Sequence, residues 1–352
     1  MKINFCRVIA PIAAAALTFS APAADITYFW GDKDAYVENQ TRTSLAIAGE
    51  LLDAYPSVEA TASPQKERLA ALQLIDDVLH DVRCDSLLSV AEFMDSRIER
   101  VLEDLDKPLA KGMRLYKLYN CGVIVRTPAV TMAWDIYRGP ARYGDANRRL
   151  IADSLAQRLV DKCHIMFLTH NHDDHVDPAV VDMFSAAGKP VVAPDEILPD
   201  NKAVTHVRPK PQTPEKHTFK ASNGEKIKTV IIPGHQQITA DDALQNNIVI
   251  ATTPDGYTAC QTGDQWMKTD NEWIAALAGK LPAVDIFVPI CWANKLPEFV
   301  KVFNPRLTVT MHENELGHTP DHREAYWLSV YKTKPITTPY SHLTWGEWIT
   351  IE

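Results

Sequence analysis

The chain has 352 residues, 36 Lys and Arg against 45 Asp and Glu, and a formal charge of −9. Its 46% apolar and 23% charged content is that of a folded globular protein and excludes a disordered or collagen-like chain. So acidic a balance also argues against a nucleic-acid-binding surface, which depends on Lys and Arg neutralising phosphates.

Taken in order, Lys2 and Arg7 flank the start of an apolar stretch, Val8 to Phe19, that falls short of the ~18 residues needed to span a bilayer. Ala21-Pro22-Ala23 supplies the small residues of a cleavage site. Residues 1–23 are therefore expected to be a signal peptide cut after Ala23, and the protein to be periplasmic or secreted. Losing Lys2 and Arg7 with no acidic residue takes the formal charge from −9 to −11. No later window is apolar enough for a transmembrane helix. Cys84, Cys121, Cys163, Cys260 and Cys291 remain, widely spaced and without a CxxC pair. Cys163, Cys260 and Cys291 sit in apolar runs and read as small core residues rather than a disulfide framework.

Residues 24–110 read as an N-terminal helical region. A first helix covers about Thr43 to Tyr55. Leu69, Leu72, Ile75 and Leu79 recur at helical spacing, as do Phe93, Ile98, Val101, Leu102 and Leu105. Ser63-Pro64 is the expected start of the second helix, and Asp85 or Ser86 the cap of the third. From Gly112 the pattern changes to mixed α/β, so residues 111–352 form the second region. Leu115–Val125 and Val130–Ile136 suggest a hairpin divided at Thr127-Pro128. Ile151–Val160 reads as a helix, His164–Thr169 and Pro190–Ala193 as strands, and Asp195–Phe219 as a surface loop. Lys228–Ile232, Asn247–Thr252, Tyr257–Thr262, Val284–Ile290, Leu307–Met311 and Trp345–Ile351 read as strands, and Glu272–Ala278 as a helix.

The strand His164–Thr169 runs into His170-Asn171-His172-Asp173-Asp174-His175-Val176-Asp177. This is an HxHxDH pattern of imidazole and carboxylate donors, the ligands that ions such as Zn²⁺ prefer. In a tight turn, His170 and His172 can converge on one ion while Asp174 and His175 reach a second. Three more apolar strands end in ligand-type residues: Thr229–Ile232 leads to His235, Tyr257–Thr262 to Asp264, and Leu307–Met311 to His312. Such strand ends are where α/β proteins build sites. Asp173 does not match a ligand position.

In these motifs, from about residue 112 onward, the chain resembles metallo-β-lactamase-fold hydrolases. The resemblance implies an α/β, αββα four-layer sandwich, here with an N-terminal helical extension. It implies that His170, His172 and His235 hold one metal, that Asp174, His175 and His312 hold a second, and that Asp264 bridges them. Asp135, after the strand Val130–Trp134, matches a supporting acid of the family. The run THNHDDHVD is similar to that of N-acylphosphatidylethanolamine-hydrolysing phospholipase D and of the ascorbate-6-phosphate lactonase group. True β-lactamases usually carry Cys where this chain has Asp264.

Two divalent ions, Zn or else Mn or Fe, held roughly 3.5–4 Å apart would share a hydroxide that attacks carbon or phosphorus. Asp264 would fix the metal spacing and Asp174 orient the nucleophile or relay a proton, so both count as catalytic. His318, Asp321 and His322 are candidates for substrate contact or proton transfer. Trp292, Tyr326 and Trp327 either line a substrate pocket or pack. The expected function is hydrolysis of a phosphodiester or related ester in a small-molecule or lipid-like substrate. The alternatives are a lactonase with the same site and a non-catalytic metal-binding protein on the same fold.

Overall fold

A computed structural model describes residues 32–57, 64–239 and 243–352. The expected signal peptide and Ser63 lie outside these residues. The N-terminal sequence forms three helices: α1 (Lys33–Ala54), α2 (Lys66–Leu79) and α3 (Leu88–Leu105). Asp32 caps α1 by accepting from the amides of Asp34 and Ala35, satisfying donors that the helix itself cannot pair. α1 starts ten residues earlier than its apolar spacing suggests, because Lys33–Arg42 is largely solvent-facing and only its C-terminal half carries Leu45, Ala48 and Leu52 into the core. α3 starts at Leu88, with Leu87 at the cap position and neither Asp85 nor Ser86 there.

The rest of the chain builds two seven-stranded sheets. The first contains β1 (Met113–Lys117), β2 (Val123–Arg126), β3 (Thr131–Trp134), β6 (Ile165–Phe167), β7 (Val191–Ala193), β8 (Val204–His206) and β16 (Glu347–Ile351), in the order β16-β1-β2-β3-β6-β7-β8. The short strands β4 (Ala141–Tyr143) and β5 (Arg148–Arg149) form a separate ribbon. The second sheet contains β9 (Glu215–Lys220), β10 (Lys226–Ile238), β11 (Ala243–Thr252), β12 (Thr258–Gln261), β13 (Ile286–Val288), β14 (Leu307–Val309) and β15 (Tyr340–Ser341), ordered β15-β14-β13-β12-β11-β10-β9. Each sheet is antiparallel through four strands and parallel through the remainder.

Two expectations are corrected. The run Leu115–Val125 is not one arm of a hairpin: it turns at Leu118–Gly122, so β1, β2 and β3 form a meander. The stretch Asp195–Phe219 is not all loop, since β8 and β9 form the far edges of the two sheets. β9 alternates half-buried and exposed residues, as an edge strand with one wet face does.

Alternation along the strands builds the layers. Val123 and Val125, Met132 and Trp134, and Ile165 and Phe167 face the second sheet, where Ile231, Val249, Val288 and Val309 share their core. Ile124, Ala133 and Met166 face outward onto a core shared with α1–α3, α4 (Asp153–Lys162) and α5 (Pro178–Ala186). On the other side α6 (Lys268–Ala275) and α7 (Leu296–Phe303) cover the second sheet through Ile274, Leu296, Phe299 and Phe303, and α8 (Tyr326–Thr333) contacts α2 and α7. The result is the expected four-layer αββα sandwich. The N-terminal helices are part of its outer layer and lie over the sheet. Buried Arg68 of α2 bonds Glu347 of β16 through Nη1 at 2.7 Å and Nη2 at 2.5 Å. No helix among the described residues is long and apolar enough to cross a membrane.

Candidate metal centre

The donor residues stand where strands of the two sheets end. β3 leads directly to Asp135, and β6 leads through Leu168 to Thr169-His170; the next turn is closed by the amides of His175 and Val176 donating to the His172 carbonyl at 3.0 Å. Asp177, the last residue of the motif, accepts from Ala179 N to cap α5 and binds the Arg138 guanidinium at 2.7 and 2.9 Å. It therefore anchors the turn from outside the cluster. In the second sheet β12 leads to Asp264 and β14 to His312. Gly263 before Asp264 has φ +52, and a Cβ there would come within 2.1 Å of Asn246 Oδ1. Only glycine fits, and this is what lets the Asp264 carboxylate cross to the first sheet's histidines. His312 itself adopts φ +73 and Asp135 φ +43, a left-handed backbone uncommon for non-glycine residues but one that Asp and His adopt more readily than most.

These elements bring six of the seven expected ligands together. Donor atoms of His170, His172 and Asp264 lie within 4.8 Å of one another. Donor atoms of His175, Asp264 and His312 form a second group of the same tightness, with Cys121 as a fourth member. Asp264 belongs to both. Asp174 Oδ2 lies 3.3 Å from His312 Nε2 and 3.6 Å from His175 Nε2. The seventh, His235, sits within β10, whose strand continues past it to a bulge before Gln237. Its Nδ1 meets Asp270 Oδ2 at 3.0 Å, and its backbone amide donates to the same oxygen at 2.8 Å. The preceding Gly234 abuts the Gln265 amide next to Asp264, so β10 runs along the Asp264 loop.

Four neighbours carried no sequence signal that marked them. Cys121 is a lone cysteine in an apolar run. Asn120 donates to Asp174 Oδ2 at 2.9 Å from the β1–β2 turn. Asp270 follows Asp264 by six residues in no motif. Glu324 Oε2 lies 3.5 Å from His312 Nδ1. Asp135, which was expected, takes His175 Nδ1 at 2.9 Å and accepts from Thr169 Oγ1 at 2.7 Å and Thr169 N at 2.9 Å. Such partners fix the ring orientation and tautomer and leave the other ring nitrogen free to ligate.

The buried acids and imidazoles set one another's charge. Burial pushes the Asp264 and Asp174 carboxyls up, but the imidazoles of His312 and His175 outweigh it and hold both below the usual carboxylate range. Burial depresses the pKa of His170, reinforced by His175, and also that of His172, so both present a free lone pair. His175 and His312 are pulled up despite burial by Asp264 and the Cys121 sulfur. The ring nitrogens His170 Nε2 and His175 Nε2 are buried without hydrogen-bond partners. An orphan of this kind costs about 1–3 kcal/mol, which a bound cation would relieve. The imidazole and carboxylate set thus fits a divalent ion of the Zn type.

Beside the centre, the ring of Trp292 meets His312 edge-on at 5.6 Å, and the ring of His318 lies 5.8 Å from that of His312. His318, Asp321, His322, Glu324 and the exposed Trp327 line a cavity of about 700 Å³ to which His80, just past the end of α2, also contributes. The two suspect histidines therefore stand at a cavity wall and outside the ligand groups. Tyr326 is different: it is buried, and its hydroxyl bonds Thr344 at 2.6 Å, so it packs. Asp173 is exposed. The five cysteines Cys84, Cys121, Cys163, Cys260 and Cys291 are buried and form no disulfide.

No family model matches the chain, and no curated protein does. Solved structures do. A "possible metal-dependent hydrolase" from Veillonella parvula aligns with a TM-score of 0.50 and 17% identity over 69% of this chain and 100% of its own. Igni18, a metallo hydrolase from the hyperthermophilic archaeon Ignicoccus hospitalis, gives 0.49 and 17% over 69% and 99%. The isothiocyanate hydrolase from Delia radicum gut bacteria gives 0.49 and 13% over 68% and 99%. The likeness to the Veillonella parvula structure is one of fold, and the sandwich of this chain, with ligand-type residues at the strand ends, has the metallo-β-lactamase fold.

Proposed function

We propose that the chain is an exported, dinuclear metal-dependent hydrolase acting on a phosphodiester or related ester bond. The observation that carries this reading is Asp264, a buried carboxylate shared by two separate groups of converging donors. His170, His172 and His235 with Asp264 would hold one ion, and Asp174, His175 and His312 with Asp264 the other. When bound, the ions supply Lewis acidity to the attacked group and lower the pKa of water.

The remaining work falls to the chain. Asp264 fixes the separation of the two positions. Asp174 keeps a 17% exposed side chain and is steadied by Asn120, which suits it to orient the attacking water and take its proton. Trp292 and the cavity bearing Trp327 suit the apolar body of a small-molecule or lipid-like substrate. His318 is near enough to pass a proton to a leaving group at that wall. The run from Thr169 to Asp177 is similar both to the phospholipase D motif and to that of the lactonase group, so the choice between phosphorus and a lactone carbonyl as the electrophile falls to the substrate panel.

The test is elemental analysis with a substrate panel on the purified protein. About two metals per chain and turnover of phosphodiesters are expected. Asp264→Ala and His172→Ala should lose metal and activity together. Turnover of lactones alone would transfer the reading to a lactonase, and full metal occupancy without turnover on either class would make the protein a metal binder. N-terminal sequencing of protein recovered from the periplasm or medium should begin at Ala24; an intact N-terminus there would overturn cleavage after Ala23.

A further inference from the structure

We propose that Cys121 is a thiolate ligand at the metal position of His175 and His312, so that the two positions of the centre differ in hardness. This rests on the metal-centre reading above.

The β1–β2 turn is built to deliver this sulfur. Leu118 N donates to Gly122 O at 2.8 Å and Gly122 N to Tyr119 O at 2.9 Å, closing a tight loop with Asn120 left-handed at φ 51. A Cβ at Gly122 would stand 3.0 Å from Tyr119 O and 3.2 Å from Asp135 O, so the loop lies flush against the end of β3. Two consecutive residues then reach the site. Asn120 holds Asp174, and Cys121 Sγ lies 3.9 Å from Asp264 Oδ1. The Cys121 sulfur, a nitrogen each from His175 and His312, and an Asp264 oxygen lie mutually within 4.8 Å, and all four residues are buried. A tetrahedron with bonds of 2.0–2.3 Å has donors roughly 3.3–3.8 Å apart, so a modest contraction closes this set around one ion. His175 Nε2 is buried and makes no hydrogen bond although Asp264 Oδ1 stands 3.2 Å away, the arrangement of two donors aimed at a common point rather than at each other.

Among the described residues, no other cysteine joins such a group of donors. The position of His170 and His172 carries nitrogen and oxygen alone. A sulfur in the other position selects Zn, Co or Fe there over the harder Mn. At this position the sulfur takes the place given above to Asp174, consistent with that carboxylate being more open than the side chains of His175, His312 and Asp264 around it. As the metal–sulfur bond forms, the thiol proton leaves to solvent, so no oxidant or reductant is involved.

Cobalt(II) titration of the purified full chain tests this, with bound cobalt counted by elemental analysis. Wild-type protein carrying two cobalt ions should show a near-ultraviolet sulfur-to-cobalt charge-transfer band. Cys121→Ser should lose that band while keeping the visible ligand-field bands of the other position, and Cys163→Ala, a core cysteine remote from the donors, should retain it. If Cys121→Ser does not fold, X-ray absorption of the zinc-loaded wild type decides, with a Zn–S shell near about 2.3 Å expected. Two bound cobalt ions with no sulfur band, or a band that survives Cys121→Ser, overturns the ligand and leaves the dinuclear reading standing. A chain that binds no cobalt overturns both.

Discussion

His175 presents Nδ1 to Asp135 Oδ2 at 2.9 Å in a fully buried contact, across the gap between the end of β3 and the turn after β6. Two ends of one sheet thereby set the orientation of a ring whose other nitrogen faces Asp264 at 3.2 Å. Asp135→Asn keeps a side chain suited to the left-handed backbone but removes the charge. It should lower affinity at the His175 position about 10–100-fold, measured by competition with a chelator, with the fold intact by circular dichroism.

The corresponding support in the second sheet is Asp270, which holds His235 by both its ring and its amide and receives Trp273 Nε1 at 3.2 Å. Asp270→Ala frees that ring. One metal of the two should become about 10–100-fold easier to strip, and the ion at the His175 position should stay. Equal loss of both would show that Asp270 supports the fold rather than one position.

The contact between α2 and the last strand is the best place to test whether the helical layer is integral. Arg68 and Glu347 are both nearly excluded from solvent and bond twice. Arg68→Ala strands a buried carboxylate and should cost about 3–5 kcal/mol in urea unfolding. A loss below about 1 kcal/mol would mean that the helices are loosely docked.

His342 gives a pH signature away from the metal ligands. Burial drops its pKa from 6.5 to about 4, and Nε2 stays 2.7 Å from Thr333 Oγ1. The folded state therefore resists the proton that the unfolded chain accepts. The stabilisation is fully present above pH 6.5 and is lost as pH falls through 4, by about 3 kcal/mol in all at 1.36 kcal/mol per pKa unit. Between those values, wild-type stability should fall with acid more steeply than that of His342→Gln. Parallel curves would remove His342 as the cause.

The ligand-bearing strands were legible because each is a short apolar run ended by His or Asp, and a buried parallel strand has no other way to be written. What escaped was held by tertiary contact. Cys121 is chemically silent until the β1–β2 turn folds against Asp264, and Asp270 looks like any acid in the first turn of a helix. β9 escaped because Glu215, His217 and Phe219 alternate with lysines and threonine on an edge that water half covers. His235 was placed at a strand's end, yet β10 carries on through it, since Pro233 and Gly234 sit in the ladder opposite Asn247 and Asn246 rather than breaking it. The αββα layering came with the family resemblance; periodicity alone gave only mixed α/β.

The closing contact of the molecule has a bearing on how it is made. Arg68 and Glu347 are 279 positions apart, and β1 gains its outer neighbour β16 only from the final residues of the chain. Ribosomal synthesis delivers α1–α3 first, and they must wait for nearly the whole sequence before their docking surface is finished. During that interval the apolar faces bearing Leu45, Leu72 and Ile98 have one another for partners but lack the finished sheet beneath them. Truncations at the C-terminus, even of a few residues beyond Glu347, should therefore act on solubility and yield before they act on turnover.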